Sequence, residues 1–150
     1  MEIRKARMTD VKDIHCIVNE FAKEHLMLSR SLYDIYDTLR DFWIVEDSGS
    51  VIGCAALKIS WEDLAEVKSL AVDKSHQQRG AGRRLVQACL NEARELGIHR
   101  VFALTYQVDF FKRLDFKIIE KETLPHKIWS ECINCYKFPD CDETAMQLIL

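Results

Sequence analysis

The segment that most constrains the fold of this chain is the turn Gln77-Gln78-Arg79-Gly80-Ala81-Gly82. Strand formers precede it over Val67–Val72, and apolar residues recur after it at helical spacing from Leu85 to Leu96. Glycines at a strand-to-helix turn let the backbone approach a ligand closely. The first turn of a helix carries unpaired N–H groups and a partial positive charge, and the nearby arginines, Arg79 and Arg83, add to that charge. The segment therefore predicts a site for a phosphorylated ligand.

The order of the glycines excludes two common phosphate-binding motifs. Leu85 stands where Gly-x-Gly-x-x-Gly needs its third glycine, and no Gly-Lys-Ser/Thr follows, so the turn is neither a dinucleotide fingerprint nor a P-loop. An ordinary strand-to-helix turn without a ligand is the alternative interpretation. The order Gln-x-x-Gly-x-Gly resembles the pyrophosphate-binding signature of the GNAT superfamily, the acetyl-CoA-dependent N-acetyltransferases.

Composition indicates one globular domain over residues 1–150, with 48% hydrophobic and 30% charged residues. A net charge of -3 argues against a general nucleic-acid binder. No apolar run is long enough to cross a bilayer, and Met1–Lys5 lacks the apolar core of a signal peptide. We therefore expect no membrane partner, a cytoplasmic location, and cysteines that are mostly reduced or metal-bound.

Hydrophobic periodicity predicts the order strand, two helices, three meandering strands, helix, strand, helix and two strands. The predicted strands are Ile3–Arg7, Phe42–Glu46, Val51–Ile59, Ala65–Val72, Arg100–Tyr106, Phe116–Lys121 and Ala145–Leu150. The predicted helices begin after an N-cap at Thr9-Asp10, near Ser31, after Gly82 and at Val108, and Gly97 ends the third helix. This order resembles the GNAT fold, an α/β fold whose mixed, mostly antiparallel sheet is splayed between its fourth and fifth strands and flanked by helices.

The resemblance implies where acetyl-CoA, the co-substrate, would bind. In the GNAT fold the pantetheine arm lies in the splay, and the matching edges here are Leu70–Val72 and Leu104–Tyr106. The residues that the resemblance assigns to acetyl-CoA are Leu70, Ala71, Val72, Gln77, Gln78, Arg79, Gly80, Ala81, Gly82, Arg83 and Phe111.

Several segments resemble a narrower family, the stand-alone amino-acid N-acetyltransferases of arginine biosynthesis. They are Arg40–Glu46, Gly53–Leu57, Trp61–Val72, Val101–Tyr106, Phe110-Phe111 and Leu124–Trp129. The reaction that this resemblance implies is acetyl-CoA plus L-glutamate giving N-acetylglutamate and CoA, and a homodimer is implied as well. The alternatives are the same fold acting on glutamine, a polyamine or a protein N-terminus, a weakly catalytic acyl-CoA sensor, and a zinc-ribbon-like interaction module.

Acetyl transfer needs a base for the protonated amine and a donor for the thioester carbonyl. Glu66 is the candidate base, on the strand where the family often carries a glutamate, and its apolar neighbours would raise its pKa. The alternative is a solvated carboxylate paired with Lys68, and Glu62 and Asp63 are weaker candidates. For the carbonyl, the family uses a backbone N–H, which corresponds to Leu70 or Ala71 here.

The departing CoA thiolate is where the chain differs from the common family pattern. Phe111 stands where many members carry a tyrosine that acts as the general acid, and Asp115 replaces a glycine of the following turn. Either Tyr106 substitutes as the acid, or the thiolate leaves unassisted, since a thiol pKa near ~8.5 makes it a competent leaving group. We expect Asp115 to occupy a left-handed turn, which aspartate tolerates better than most residues.

A dicarboxylate acceptor needs cationic side chains. Lys68 and Lys127 are the favoured ones and Arg40 is a third, with Arg4 and Arg7 as further candidates. Each of them singly is also compatible with solvated surface charge.

Three cysteines, Cys132, Cys135 and Cys141, lie in a loop at about residues 124–143. With His126 or Cys54 as a fourth ligand they would hold zinc, whereas Cys-x-x-Cys alone is compatible with a redox pair or a reduced knuckle that orders the loop. No second Cys-x-x-Cys or His pair is present, so zinc is not favoured. The two helical cysteines, Cys16 and Cys89, are expected in the core.

Overall fold

A computed structural model describes residues 1–125 and 143–150 of the chain. The strands are β1 (Glu2–Lys5), β2 (Phe42–Asp47), β3 (Ser50–Trp61), β4 (Leu64–Val72), β5 (Arg100–Thr105), β6 (Lys117–Ile118) and β7 (Thr144–Ile149). The α-helices are α1 (Val11–Lys23), α2 (Leu32–Asp37), α3 (Ala81–Glu95) and α4 (Val108–Lys112). No helix in the described ranges is long and apolar enough to cross a membrane.

The strands form a seven-stranded sheet in the order β1-β2-β3-β4-β5-β7-β6. Strands β1 to β4 pair antiparallel in sequence, and β7 pairs antiparallel between β5 and β6. The pair β4–β5 is parallel, and α3 supplies the crossover that a parallel pair requires. The predicted mixed, mostly antiparallel sheet is therefore confirmed.

Helices cover both faces of this sheet because each presents one apolar stripe. On one face α3 buries Leu85, Val86, Cys89, Leu90 and Ala93 against β2 to β5. On the other face α1 and α2 bury Val11, Ile14, Val18 and Ile35 against Phe42, Ile44, Cys54, Ala56 and Ala71. Gly97, at φ +78°, ends α3 with the hydrogen bond from Ile98 N to Ala93 O at 2.8 Å, as predicted.

One local expectation holds in part and two were wrong. Asp10 is the N-cap residue of α1, as predicted, but its carboxylate accepts from Arg4 and from the Arg7 N–H and makes no capping hydrogen bond to the helix. The predicted strand Phe116–Lys121 shrinks to Lys117–Ile118, because Phe116 turns inward onto Phe111 and a 3-10 turn begins at Lys121. Cys89 is fully buried, but Cys16 is exposed.

Candidate active site

The sheet opens between β4 and β5. Only the first three residues of β4 pair with β5, and the last pair is Glu66 with Phe102. Beyond this point the edges Val67–Val72 and Ala103–Thr105 separate and border a cleft of about 470 Å³. The splay between the fourth and fifth strands lies where it was predicted, and Glu66 stands at its apex.

The glycine turn forms one end of this cleft. Gly80, at φ +84°, immediately precedes α3, and Gln78, at φ +63°, is also in the left-handed region. The side chain of Gln77 donates from Nε2 to the Val72 carbonyl at 3.0 Å, which ties the turn to the end of β4. The unpaired N–H groups of the first turn of α3 therefore lie beside the cleft, where an anion can bind them.

Most of the residues assigned to acetyl-CoA line the cleft together. They are Leu70, Ala71, Val72, Gln77, Gln78, Gly80, Ala81, Gly82, Arg83 and Phe111. Arg79 is not among the lining residues, because its guanidinium pairs with Asp47 of the β2–β3 hairpin at 3.1 Å. Gly82 lies against the ring of Phe110, since a Cβ at position 82 would be 3.4 Å from that ring.

Glu66 is buried at the apex, with 7% of its surface exposed. Burial raises the pKa of its carboxyl group, and the positive charges of Lys68 and Lys58 partly oppose that rise. Lys58 stands directly opposite Glu66 in the register of β3 and β4. Burial also lowers the pKa of Lys68, which lines the cleft, against the opposing effect of Glu66. Glu66 itself is not among the residues that line the cleft, but its neighbour Val67 and Lys68 are. A buried carboxylate with a raised pKa beside a cleft is a candidate general base.

A β-bulge follows Glu66 in β4, and sequence reasoning missed it. The register with β3 shifts between the pairs Ala56–Lys68 and Cys54–Ala71. Ser69, inside the bulge, has φ +53° although it is not glycine. Serine is a turn residue but not the glycine that a positive φ favours, so the sequence carried only a weak signal for the bulge. Leu70 and Ala71, which follow Ser69, both line the cleft.

The end of β5 brings Thr105 and Tyr106 to the cleft, and α4 brings Phe111. Tyr106, the candidate acid, follows the last residue of β5 and is half-buried. Phe111 is 3% exposed and packs edge-on against Phe110 and Phe116, with ring centroids 5.1 and 5.0 Å apart. Asp115 has φ +71°, which confirms the expected left-handed turn.

Sequence reasoning did not single out Thr105, which is 8% exposed in the cleft. Its Oγ1 accepts from the Gln107 N–H at 2.8 Å. A hydroxyl that accepts a backbone hydrogen bond still has its own proton to donate.

Other candidates lie away from the cleft. Glu62 and Asp63 are exposed at the β3–β4 turn, at the opposite end of β4 from the glycine turn, and Asp63 accepts from the His99 N–H at 2.6 Å. Arg40 is exposed between α2 and β2 and is not a lining residue. Arg4 is bound to Asp10 and Glu46, at 2.8 and 3.1 Å.

The loop candidates, Lys127, His126, Cys132, Cys135 and Cys141, lie outside the described residues. Within residues 1–125 and 143–150 no three potential ligands come together to hold a metal ion. Cys54 is fully buried, and burial raises the pKa of its thiol to about 12. A thiol with so high a pKa is a poor metal ligand or nucleophile.

Two parallel strands, β4 and β5, separate beside the N-terminus of α3, where an anion can bind. This is the arrangement predicted for an acetyl-CoA-dependent transferase. The sequence profile of the acetyltransferase (GNAT) family matches residues 8–116, and the chain belongs to this family. It is an acetyl-CoA-dependent acetyltransferase.

Three relatives match most of the chain, and two of these matches also span most of the relative. An uncharacterized N-acetyltransferase of Chlorobaculum tepidum is 43% identical over 96% of this chain and 93% of its own length. The amino-acid acetyltransferase of Mycobacterium tuberculosis is 34% identical over 89% of this chain and 78% of its own length. The amino-acid acetyltransferase of Neisseria meningitidis is 32% identical over 83% of this chain, but the match spans only 29% of that protein.

Solved structures agree with this assignment. A Mycobacterium tuberculosis protein in complex with CoA and a second ligand superposes with a TM-score of 0.86 at 31% identity, over 100% of this chain and 99% of that one. The N-acetylglutamate synthase of Neisseria gonorrhoeae, in complex with CoA and N-acetyl-glutamate, superposes with a TM-score of 0.91 at 28% identity. That match covers 99% of this chain and 35% of the synthase.

Proposed function

We propose that this enzyme transfers the acetyl group of acetyl-CoA to the α-amine of a free amino acid, with L-glutamate as the expected acceptor. The observation that carries the proposal is the buried Glu66 at the point where β4 and β5 separate, two residues from Lys68, which lines the cleft. The 34% identity to an amino-acid acetyltransferase over 89% of this chain supports the choice of acceptor class. Acetylation of glutamate would make this the first step of arginine biosynthesis.

Glu66 would act as the general base. Burial raises its pKa, which brings the carboxylate closer to the pH at which an ammonium group must be deprotonated. The carboxylate would take a proton from the amine, directly or through one water. The nitrogen lone pair would then attack the thioester carbonyl to form a tetrahedral oxyanion.

A backbone N–H of the β4 bulge would stabilise this oxyanion. The Ala71 N–H already forms a hydrogen bond with the buried thiol of Cys54. This bond lowers the pKa of the thiol, whereas burial raises it by more. Leu70, the other candidate, lies within the bulge and lines the cleft. We therefore assign the carbonyl contact to the Leu70 N–H.

Collapse of the tetrahedral intermediate would release CoA. The C–S bond would break, and the nitrogen, positively charged since the attack, would give up its second proton to solvent. The thiolate would take up a proton from Tyr106, from Thr105 or from solvent, and solvent would reprotonate either hydroxyl. Phe111 has no proton to donate and packs in the core beside the cleft. A side-chain acid is therefore a contribution to the rate and not a requirement.

Recognition of a dicarboxylate would use the cations beside Glu66. Lys68 lines the cleft, and Lys58 stands across the strand pair from Glu66. Lys127 is a further proposed contact from the loop. The gonococcal synthase structure, which contains CoA and N-acetyl-glutamate, supports an acidic acceptor in a fold of this kind.

The test is continuous measurement of CoA release from acetyl-CoA with a panel of acceptors: glutamate, glutamine, other free amino acids, a polyamine and a peptide. We expect kcat/KM for glutamate to exceed that for every other acceptor. Glutamine in first place would keep the amino-acid activity and refute the acidic acceptor. A polyamine or peptide in first place would refute the proposal, and CoA binding without turnover on the whole panel would favour an acyl-CoA sensor.

A further inference from the structure

Arg113 brings a positive charge to the cleft from a second helix. It directly follows α4, its side chain is exposed, and it is one of the residues that line the cleft. Phe110, one helical turn earlier, also lines the cleft and packs against Gly82 at the start of α3. Residues three apart in a helix share one face, so Arg113 lies on the face of α4 that is turned toward the start of α3.

The other arginines near the start of α3 differ in how they are engaged. Arg79 pairs with Asp47 at 3.1 Å, and Arg84 donates to a backbone carbonyl at the N-terminus of the chain at 3.1 Å. Arg83 and Arg113 line the cleft. In the part of the chain that the structure describes, no side-chain hydrogen bond or ion pair holds either of these two guanidinium groups. Arg83 and Arg113 are therefore ready to bind an anion in the cleft.

Acetyl-CoA carries phosphate at two separate places, as a diphosphate and as a 3′-phosphate on the ribose. The unpaired N–H groups of the first turn of α3, together with Arg83 in that turn, suit the diphosphate. The 3′-phosphate is a monoester with a charge of about −1.5 to −2 at neutral pH. A guanidinium on another element suits this second phosphate, because its paired N–H groups match two phosphate oxygens.

We propose that Arg113 binds the 3′-phosphate of acetyl-CoA and thereby makes the enzyme select acetyl-CoA over its 3′-dephospho form. Arg83 is part of α3 and stays with the diphosphate, whereas Arg113 reaches the cleft from the end of α4. Binding of the co-substrate does not depend on which amine accepts the acetyl group. The role of Arg113 is therefore independent of the proposed acceptor.

The position of Arg113 argues against a contact with the acceptor instead. The proposed acceptor site is at Glu66, where the pairing of β4 with β5 ends. From there β4 runs about 20 Å to Val72, which precedes the glycine turn. The contact of Phe110 with Gly82 places the end of α4 beside this turn, away from Glu66.

The test is titration calorimetry of CoA and of 3′-dephospho-CoA with the wild-type protein, Arg113→Met and Lys112→Met. We expect the wild-type protein to bind CoA about tenfold more tightly than dephospho-CoA. Arg113→Met should weaken CoA binding about tenfold and change the Kd of dephospho-CoA by less than about twofold, so that the preference disappears. Lys112→Met is the matched control: it removes one exposed charge from a residue of α4 that does not line the cleft, and it should keep the wild-type preference.

Three results would overturn the proposal. Equal weakening of both ligands in Arg113→Met would place this side chain at the diphosphate. An unchanged Kd for CoA in Arg113→Met would mean that the side chain contacts no phosphate. The same loss of preference in Lys112→Met would mean that only the general positive charge of this surface matters.

Two further variants sharpen the assignment. Arg83→Met should weaken CoA and dephospho-CoA by similar factors, and loss of the preference in this variant would give the 3′-phosphate to Arg83 and refute the proposal. Arg113→Lys keeps the charge without the paired N–H groups and should retain part of the preference. If Arg113→Met does not fold, Arg113→Gln takes its place.

These titrations need no acceptor, which separates the role of Arg113 from the proposed function. If the enzyme acetylates no acceptor of the panel, the proposed function fails, and the two dissociation constants still decide what Arg113 binds. Where turnover is measured, Arg113→Met should raise KM for acetyl-CoA about tenfold, leave KM for acetyl-dephospho-CoA nearly unchanged and leave kcat unchanged with both. A lower kcat with an unchanged KM would contradict a role in binding the 3′-phosphate.

Discussion

Replacing Glu66 by glutamine is the most direct test of its proposed role as the general base. Glutamine has nearly the same size, and Glu66 is 7% exposed, so the packing is preserved and the change removes the basic carboxylate alone. General-base catalysis contributes about 100- to 10,000-fold to a rate. We expect kcat with the preferred amino acid to fall within that range at neutral pH, which corresponds to about 2.7 to 5.5 kcal/mol of transition-state stabilisation.

The assay is CoA release as a function of pH. Because the carboxylate must be ionised, wild-type kcat should rise with pH through the pKa of Glu66, which burial holds above its ordinary value. The deficit of Glu66→Gln should shrink above the pKa of the acceptor amine, where the amine loses its proton without help. Glu95→Gln, the same change at an exposed position at the end of α3, is the matched control. A deficit that is equal at all pH values, or no deficit, would refute the general-base role.

Glu66→Gln should increase the stability of the protein although it lowers the activity. Folding raises the pKa of Glu66, so the folded protein binds this proton more tightly than the unfolded chain does. The contribution of Glu66 to stability therefore falls as pH rises from the ordinary glutamate pKa through the raised one. Glu66→Gln should gain melting temperature relative to wild type over this interval, while Glu95→Gln should not.

Three further predictions concern the acceptor site, the co-substrate site and the first strand. Lys68→Met should raise KM for the amino acid about 10- to 100-fold, with Lys68→Arg retaining more affinity, and initial rates against acceptor concentration will check this. Gly82→Val should raise KM for acetyl-CoA about tenfold with a nearly unchanged melting temperature, since its Cβ meets the Phe110 ring at a tolerable 3.4 Å; an unchanged KM would contradict the phosphate site. Asp10→Asn should destabilise the fold by about 2 kcal/mol in urea titrations, because it removes one of the two carboxylates that pair with the Arg4 guanidinium and leaves Glu46 alone. Arg4 lowers the pKa of Asp10, so the stability this pair contributes should be lost as pH falls through that lowered pKa, and Asp10→Asn should show no such loss.

The fold could be predicted from the sequence because its signals are local. The strand-to-helix turn at Gly80 and Gly82, the apolar stripe of α3 and the glycine at its end each depend on neighbouring residues only. The family resemblance that this turn carries assigned the acetyl-CoA residues, and all but Arg79 line one cleft. Arg79 could not be placed, because its partner Asp47 lies in a hairpin that adjoins the turn only in the folded sheet.

The catalytic wall of the cleft could be predicted only in part. Glu66 was proposed from its place in a strand, but its burial depends on where β5 stops pairing with β4. The bulge at Ser69 had only a weak signal, since serine is a turn residue but not the glycine that a positive φ favours. The contacts of Arg30 with Ser69 and Phe42 had no signal, because they join residues far apart in the chain.

The sequence by itself determined the order of the elements, the anion-binding turn and the residue types available for acetyl transfer. These depend on periodicity, glycine and charge within short windows of the chain. The tertiary structure decided which residues lie together. The β4–β5 pairing ends at Glu66, the backbone of Ser69 is in the left-handed region, and Arg30, which precedes α2, donates to the Ser69 hydroxyl. The physical reason is that desolvation and backbone strain are properties of an environment, which several distant segments create together and no single segment encodes.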